Sequence, residues 1–219
     1  MDVITRWANY WTNGGLAEGF VVTLETFAVG CVCTILWGLV VTVIRMSRFW
    51  PARLAAVAYI ELFRGTPLLV QLLAFFAAVP ILIGIKLGAF ETAILVLTLN
   101  AGVYLAENYR AGFQAVPRGQ QEAGAALGMT RFQIFWRVTF PQAIRMILPA
   151  IGNTVAGLLL TTPFVFLVGL EDLMAKAGQV MNRTADWSVF LFVTILYTSL
   201  GLFLVAGNSW LEHRLKLVN

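Results

Sequence analysis

The sequence predicts an all-α, polytopic membrane protein with five transmembrane helices, its amino terminus outside and its carboxyl terminus in the cytoplasm. Three observations carry that prediction. First, 59% of the 219 residues are apolar and only 12% are charged, about half the charge of an ordinary soluble domain. Second, the uncharged runs Gly65–Ile85, Met146–Leu170 and Trp187–Leu211 hold 21, 25 and 25 residues. Each exceeds the roughly 20 residues that cross about 30 Å of hydrocarbon as a helix. Third, Lys and Arg divide unevenly between alternate loops.

In chain order, the first span covers Phe20–Ile44, with Glu25 as its only charge. It is too long for a signal peptide, follows an acidic leader and lacks a convincing cleavage site, so it reads as retained. The second covers Leu54–Leu82 and carries Arg64. The third, Ala89–Tyr109, is interrupted by Glu91, Asn100, Glu107 and Asn108, and a buried core helix competes with the span reading. The fourth and fifth cover Arg145–Val168 and Trp187–Ala206. Residues 1–219 thus form a single transmembrane domain, with a polar segment, residues 117–141, between spans three and four.

Given these spans, one side receives 10 basic residues: Arg45, Arg48, Arg53, Arg110, Arg118, Arg131, Arg137, Arg145, Arg214 and Lys216. The other receives 4, namely Arg6, Lys86, Lys176 and Arg183. The basic side is cytoplasmic by the positive-inside rule, which also places the 117–141 elbow there. The net charge of +4 is then a matter of topology and anionic headgroups, and calls for no nucleic acid. Cys31 and Cys33 stand two apart on a helix and do not face one another, so they read as small buried apolar residues. His213 is the single histidine, in the interfacial tail, and no metal site is expected.

The elbow has its own local grammar. Pro117 suits a helix start, Gly128 a helix stop, and Thr130 with Gln133 forms a capping box. Met129 and Ile134 occupy staple positions, so two short helices are expected to meet at Gly128–Thr130. The second is expected to present Phe132, Phe135, Trp136 and Thr139 on one face, and Pro141 to break or bend the chain before the fourth span. Small residues at Ala123–Ala126 followed by an aromatic stripe suit a helical knob entering a protein groove. An amphipathic helix lying on headgroups has the same composition, which leaves both readings open.

EAGAALG at Glu122–Gly128, followed after nine residues by Val138, Thr139, Phe140 and Pro141, resembles the cytoplasmic EAA signature of membrane subunits of binding-protein-dependent ATP-binding cassette importers. Glu122, Ala123 and Gly128 match it, while Gly124 replaces a customary Ala. ELFRGTPLLVQ (Glu61–Gln71) resembles the polar amino-acid branch of that family, as do GFVVTLETF (Gly19–Phe27), LNAGVYLAENYRAG (Leu99–Gly112) and FPQAIRMILPAIGN (Phe140–Asn153). The resemblance implies a permease subunit that moves a polar amino acid or derivative across the bacterial inner membrane by alternating access. It implies two cytoplasmic ATPase subunits, a second membrane subunit, identical or homologous, and a periplasmic solute-binding protein. Glu122, Ala123, Gly128, Thr130 and Gln133 would couple to the ATPase. The chain has no GxxxxGK[ST] phosphate loop, so it is not expected to be an enzyme or to hold a cofactor; ATP and magnesium would belong to the ATPase.

Candidate path residues are Glu25, Glu61, Arg64, Gly65, Thr66, Asn100, Thr161 and Thr162. Arg64 would lie about 15 Å along the second span, where a charge is seldom left facing lipid. It either forms a structural ion pair with Glu61 or borders the solute path. Gly65, Thr66 and Pro67 would interrupt helical hydrogen bonding and expose backbone groups there. Glu107 and Arg110 repeat the acid-x-x-Arg spacing near the cytoplasmic end of the third span, and that location suits gate or loop anchoring better than substrate recognition. The resemblance implies Gln at the position of Glu25 and Lys-Asp-Thr-Ser where this chain has Leu160, Thr161, Thr162 and Pro163. That departure points to an unusual derivative, or to a partner subunit that supplies the missing charges. Pro163 is also expected to break the helix and free carbonyls. Two other functions fit parts of the sequence: an ion-gradient-driven secondary transporter, which gives the elbow no partner, and a non-transporting scaffold, which leaves Arg64 unexplained.

Overall fold

The computed structural model describes residues 2–216, and every regular element among them is helical; the ends of the 1–219 domain lie outside the described residues. The helices are α1 (Val3–Thr12), α2 (Leu16–Arg45), α3 (Trp50–Gly65), α4 (Leu68–Leu73), α5 (Val79–Ile83), α6 (Ala89–Ala115), α7 (Arg118–Ala126), α8 (Arg131–Ile134), α9 (Phe140–Thr161), α10 (Leu173–Thr184) and α11 (Ser188–Lys216). Four helical stretches are long and apolar enough to cross a membrane: Leu16–Arg45, Ala89–Ala115, Arg131–Val168 and Ser188–Arg214.

The second expected span is not one straight helix. α3 and the Leu68–Leu82 segment meet at a 108° bend, so a fifth span exists only if this bent pair is counted as one. Pro67 supplies no N–H and pushes Thr66 into extended backbone, φ −117° and ψ 138°. Arg64 sits exposed in the last turn of α3, next to the bend.

The other prolines act more gently than expected. A π-helical turn over Phe135–Thr139 joins α8 to α9, with the Phe140 N–H reaching back to the Phe135 carbonyl. The wider turn accommodates Pro141, so the chain neither breaks nor stops there, and one helical stretch runs from Arg131 to Val168. A second π turn, Ala74–Ala78, precedes Pro80 in the same way. Pro163 tightens the helix rather than breaking it: Thr162–Val168 continues as a 3₁₀ helix. The Leu158 and Leu159 carbonyls near this junction accept bonds from the hydroxyls of Thr161 (2.8 Å) and Thr162 (2.7 Å), so they are not left free.

The bundle is small inside and large outside, as suits a helix whose other solvent is lipid. On α2 the buried face is a ladder at four-residue steps, Thr26, Gly30, Thr34, Gly38 and Thr42, while Leu36, Leu39 and Val43 are exposed. That ladder lets α2 meet α6 at backbone distance. A Cβ on Gly38 would stand 2.7 Å from the Leu105 Cβ, and one on Gly102 would stand 2.7 Å from Trp37 Cδ1. Thr42 Oγ1 donates to its own helix at Gly38 and lies within 3.2 Å of the Ala106 carbonyl on α6. The Trp37 indole donates to the Tyr59 hydroxyl, which donates to the Leu99 carbonyl, joining α2, α3 and α6. α6 is the central helix: 56% of its apolar window is buried, against 17–33% for the other long helices. Three of its polar interruptions, Asn100, Glu107 and Asn108, are half-buried against protein, while Glu91 is exposed in its first turn; core helix and span are one and the same.

At the opposite end, Arg6 and Tyr10 of α1 bind the Asp186 carboxylate at 2.8 and 2.9 Å, fastening α1 to the start of α11. Asp172 caps α10 by accepting from the Ala175 N–H at 2.9 Å. It is fully buried, and burial pushes its carboxyl up to about 6 in spite of the backbone N–H groups that oppose the shift. Tyr197 of α11 gives it slight help, but Asp172 Oδ2 has no aligned hydrogen bond.

Candidate functional site

α6 and α9 face one another with polar side chains at helical spacing. Asn100, Tyr104 and Asn108 recur every four residues on α6; Asn153, Thr154 and Thr161 stand opposite on α9. Together they line an open groove of about 410 Å³ whose lining residues are all uncharged. Amides and hydroxyls at such a depth cost free energy unless hydrogen-bonded, and the bonds are specific. Asn108 Nδ2 donates to Thr154 Oγ1 at 3.3 Å, and Asn208 Nδ2 of α11 donates to Asn153 Oδ1 at 3.0 Å and to the Pro149 carbonyl at 3.1 Å. Gly152 permits this approach, since a Cβ there would run into the Asn208 amide.

Asn100 ties the groove to the bend. Its Nδ2 donates to Gln71 Oε1 at 3.0 Å. The buried Gln71 Nε2 in turn lies 2.9 Å from the Phe63 carbonyl, 3.1 Å from the Thr66 carbonyl and 2.7 Å from Thr66 Oγ1. Those are groups left over where α3 stops, so one amide satisfies the interrupted backbone and holds it against α6. Gln71 is the organising residue that sequence reasoning missed; its signal was a lone amide inside an apolar run. Tyr104, Asn108, Asn153 and Thr154 were likewise not singled out as path residues, although their spacing is helical.

The expected path residues do not form one cluster. Asn100 and Thr161 line the groove, and Thr66 reaches it through Gln71. Thr162 is fully buried and bonded to its own helix. Glu25 is exposed on α2, and Glu61, Arg64 and Gly65 are exposed on α3, none of them lining the groove. No ion pair within 4.0 Å joins Glu61 to Arg64 among the described residues. Glu107 instead takes Arg110 at 2.6 Å and Arg45 of α2 at 2.9 Å, joining the ends of α2 and α6.

The elbow has the caps that its sequence implies and a short first helix, while the second helix is the start of the long Arg131–Val168 stretch and not a separate short one. α7 ends in a Schellman arrangement, with the Met129 N–H on the Gly124 carbonyl at 3.1 Å and the Gly128 N–H on Ala125 at 3.0 Å; Gly128 takes φ 77°. Thr130 and Gln133 make a reciprocal capping box at 3.3 and 2.9 Å. Gly124 is buried where Ile134 and Met129 converge, and a Cβ there would lie 3.1 Å from Ile134 Cγ1, which accounts for Gly at that position. Glu122, Ala123, Gly128 and Thr130 are exposed, and Gln133 is half-buried. Leu127 and Phe132 are 82% and 73% exposed, an apolar tip with no cover of its own. The aromatic face is split: Phe132, Phe135 and Trp136 are exposed while Thr139 is buried, because the π turn shifts the register between them.

Long apolar helices, a polar groove between two of them and a separate exposed elbow define a membrane-embedded transport subunit. Residues 34–217 match the family described as the inner membrane component of binding-protein-dependent transport systems, and the chain belongs to that family. It is a multi-pass bacterial inner-membrane protein and a non-catalytic transport component. The arginine transport system permease protein ArtQ of Bacillus subtilis is 33% identical over 202 residues, covering 92% of each chain. The probable glutamine transporter permease protein GlnM of the same organism is 32% identical and covers 91% of this chain and 92% of its own. The crystal structure of an amino acid ABC transporter with histidines superposes at a TM-score of 0.89 with 33% identity, covering 98% of this chain and 99% of that one. A chain of the MetNI methionine transporter, 22% identical, shares the fold at a TM-score of 0.72 over 91% of this chain and 95% of its own.

Proposed function

We propose that this chain is the permease subunit of an ATP-driven importer of a polar amino acid or amino-acid derivative. The observation that carries the reading is the uncharged groove between α6 and α9, lined by amides and hydroxyls between two membrane-crossing helices. Those groups can exchange hydrogen bonds with a polar solute that has left water. The relatives named for arginine and glutamine transport favour an amino-acid cargo.

In the proposed arrangement the bent pair counts as one of five spans, the amino terminus is outside, and the elbow lies in the cytoplasm with the carboxyl terminus. The exposed Leu127 and Phe132 tip, stiffened by caps on either side, docks into one of two cytoplasmic ATPase subunits. Glu122, Ala123, Gly128, Thr130 and Gln133 form the docking face or hold its shape. A second membrane subunit, identical or homologous, closes the open side of the groove, and a periplasmic binding protein delivers the solute. Asn100, Thr161 and Thr66 contribute polar groups to the path. Arg64, Glu61, Gly65 and Glu25 act from the exposed faces of α3 and α2, and Thr162 shapes the path from behind. ATP turnover in the partner moves the elbow, and the groove opens alternately to the two sides. No bond in the solute is made or broken.

Reconstitution of the subunit with its ATPase and binding protein in proteoliposomes tests the proposal. Solute-loaded binding protein is expected to stimulate both ATP hydrolysis and uptake; a correctly assembled complex that shows neither with any loaded binding protein overturns it.

A further inference from the structure

A second cavity, of about 390 Å³, lies where the ends of α2, α3 and α6 meet, and its chemistry is the opposite of the groove's. Arg45, Arg53 and Arg110 line it together with Ser47 and Gln114. Among the described residues Glu107 is the one carboxylate paired with this cluster, at 2.9 Å from Arg45 Nε and 2.6 Å from Arg110 Nη2, which leaves two positive charges uncompensated. Not all of the cluster's donors are met by hydrogen bonds. Arg110 is well served, by Glu107 and by Gln114 at 2.7 Å. Arg45 Nε is close to Glu107 Oε1 but not aligned with it for a hydrogen bond, so that oxygen and Arg45 Nη1 are both buried without a hydrogen-bond partner, held by charge alone. Arg53 is exposed, and among the described residues its guanidinium makes no ion pair or hydrogen bond.

Guanidinium groups in excess, lacking acceptors, are the donor set that a phosphate oxygen satisfies in paired fashion. The surroundings decide which phosphate. Met46 and Val57 line the cavity, and Phe49, Trp50 and Leu54 lie between them in the chain, on the α2–α3 connection and the start of α3; Met46, Phe49, Trp50 and Leu54 are 50–67% exposed. Exposed Trp and Phe beside Arg form the pattern of a helix end at the level of lipid headgroups. A free phosphate ion would have no use for this apolar flank, whereas a phospholipid places its phosphate among the arginines and its chains along Leu54.

We propose that the Arg45, Arg53 and Arg110 cavity is a binding site for the phosphate headgroup of an anionic phospholipid. The lipid supplies the acceptors that Glu107 alone does not, and in doing so fastens α3 to the α2 and α6 ends.

The test is native mass spectrometry of the full chain released from mixed micelles of dioleoylphosphatidylglycerol and dioleoylphosphatidylcholine in equal amounts. The wild-type chain is expected to retain phosphatidylglycerol preferentially. Arg53→Gln is expected to cut that preference roughly fivefold, and Arg45→Gln with Arg53→Gln to cut it further by about the same factor. Arg183→Gln, on α10 away from the cavity, should leave it unchanged. Arg53 has no side-chain partner to lose, so its variant tests the site even where the double variant does not fold. Equal retention of the two lipids by the wild type, or a preference untouched by Arg53→Gln, overturns the proposal. Displacement of the lipid by excess inorganic phosphate makes the site one for free phosphate and overturns the lipid reading. Loss of ATPase association in Arg53→Gln with lipid retention intact makes the cavity a protein-docking site and overturns it as well.

Discussion

Replacing Asp172 with Asn should stabilise this protein at neutral pH, contrary to the usual cost of altering a buried polar residue. The carboxyl titrates near 6 in the folded chain against an ordinary 3.8. Holding it ionised at pH 7.5 therefore costs the fold about 3 kcal/mol relative to the unfolded chain. Because the folded pKa is the higher one, stability rises as pH falls through about 6 and is fully recovered below about 4. Asn keeps the cap on the Ala175 N–H, since Asn and Asp are near-equal N-caps, and carries no charge at any pH. Lys176, next along α10, is already committed to Glu171 at 2.7 Å, so it does not compensate Asp172. The assay is unfolding of the purified chain in detergent between pH 4 and pH 8, followed by tryptophan fluorescence. Asp172→Asn is expected to exceed the wild type by up to about 3 kcal/mol at pH 7.5, with the gap closing toward pH 4. A variant less stable than the wild type at pH 7.5, or a gap that does not change with pH, refutes the argument.

Four further outcomes are expected. Gln71→Leu strips the Phe63 and Thr66 carbonyls and the Asn100 amide of their partner, and should cost about 1–3 kcal/mol in the same unfolding assay, with uptake reduced. Gly102→Ala drives a methyl to 2.7 Å from the Trp37 ring and should cost about 1–3 kcal/mol; a neutral result would mean that α2 and α6 separate easily. Gly128→Val puts a β-branched residue at φ 77°, strained by about 1–2 kcal/mol with no clash, so ATPase stimulation should fall while the amount of subunit in the membrane stays constant. Arg64→Ala alters an exposed side chain and should lower uptake in proteoliposomes without loss of assembly; equal loss of both would make Arg64 a structural residue.

Local chemistry was legible in the sequence and tertiary geometry was not. Thr130, Gln133, Gly128 and Met129 act within a few residues of one another, so their spacing alone foretold both caps and the join between α7 and α8. The long apolar runs foretold the long helices, because hydrocarbon thickness sets their length. Gly65, Thr66 and Pro67 foretold an interruption of the helix, but hydropathy could not reveal the 108° bend there, since both arms of the pair are apolar. It also made α6 look the weakest span, because polar residues that face protein count against hydropathy as heavily as those that face lipid. The ladder from Thr26 to Thr42 was readable as small residues at four-residue steps, a spacing that marks a helix seam in membranes. Gln71 and Asp172 had no such signature: their importance comes from which carbonyl or helix end happens to lie opposite. The response to proline was the other hidden quantity, for a π turn at Phe135–Thr139 let the helix pass Pro141 where a break or bend was expected.

The α2–α6 seam restricts where this molecule can move. With glycines on both sides at contact distance and Thr42 reaching across, sliding one helix past the other by even part of a turn would drive Leu105 or Trp37 into backbone. The pair is a strut, and any large displacement delivered to the bundle has to be taken up elsewhere. The candidates are the groove wall formed by α9 and the hinge-like bend that Gln71 restrains. On this reading a cysteine cross-link between α2 and α6 leaves transport intact, while one across the groove from α6 to α9 arrests it; arrest by the first would show that the strut itself must flex.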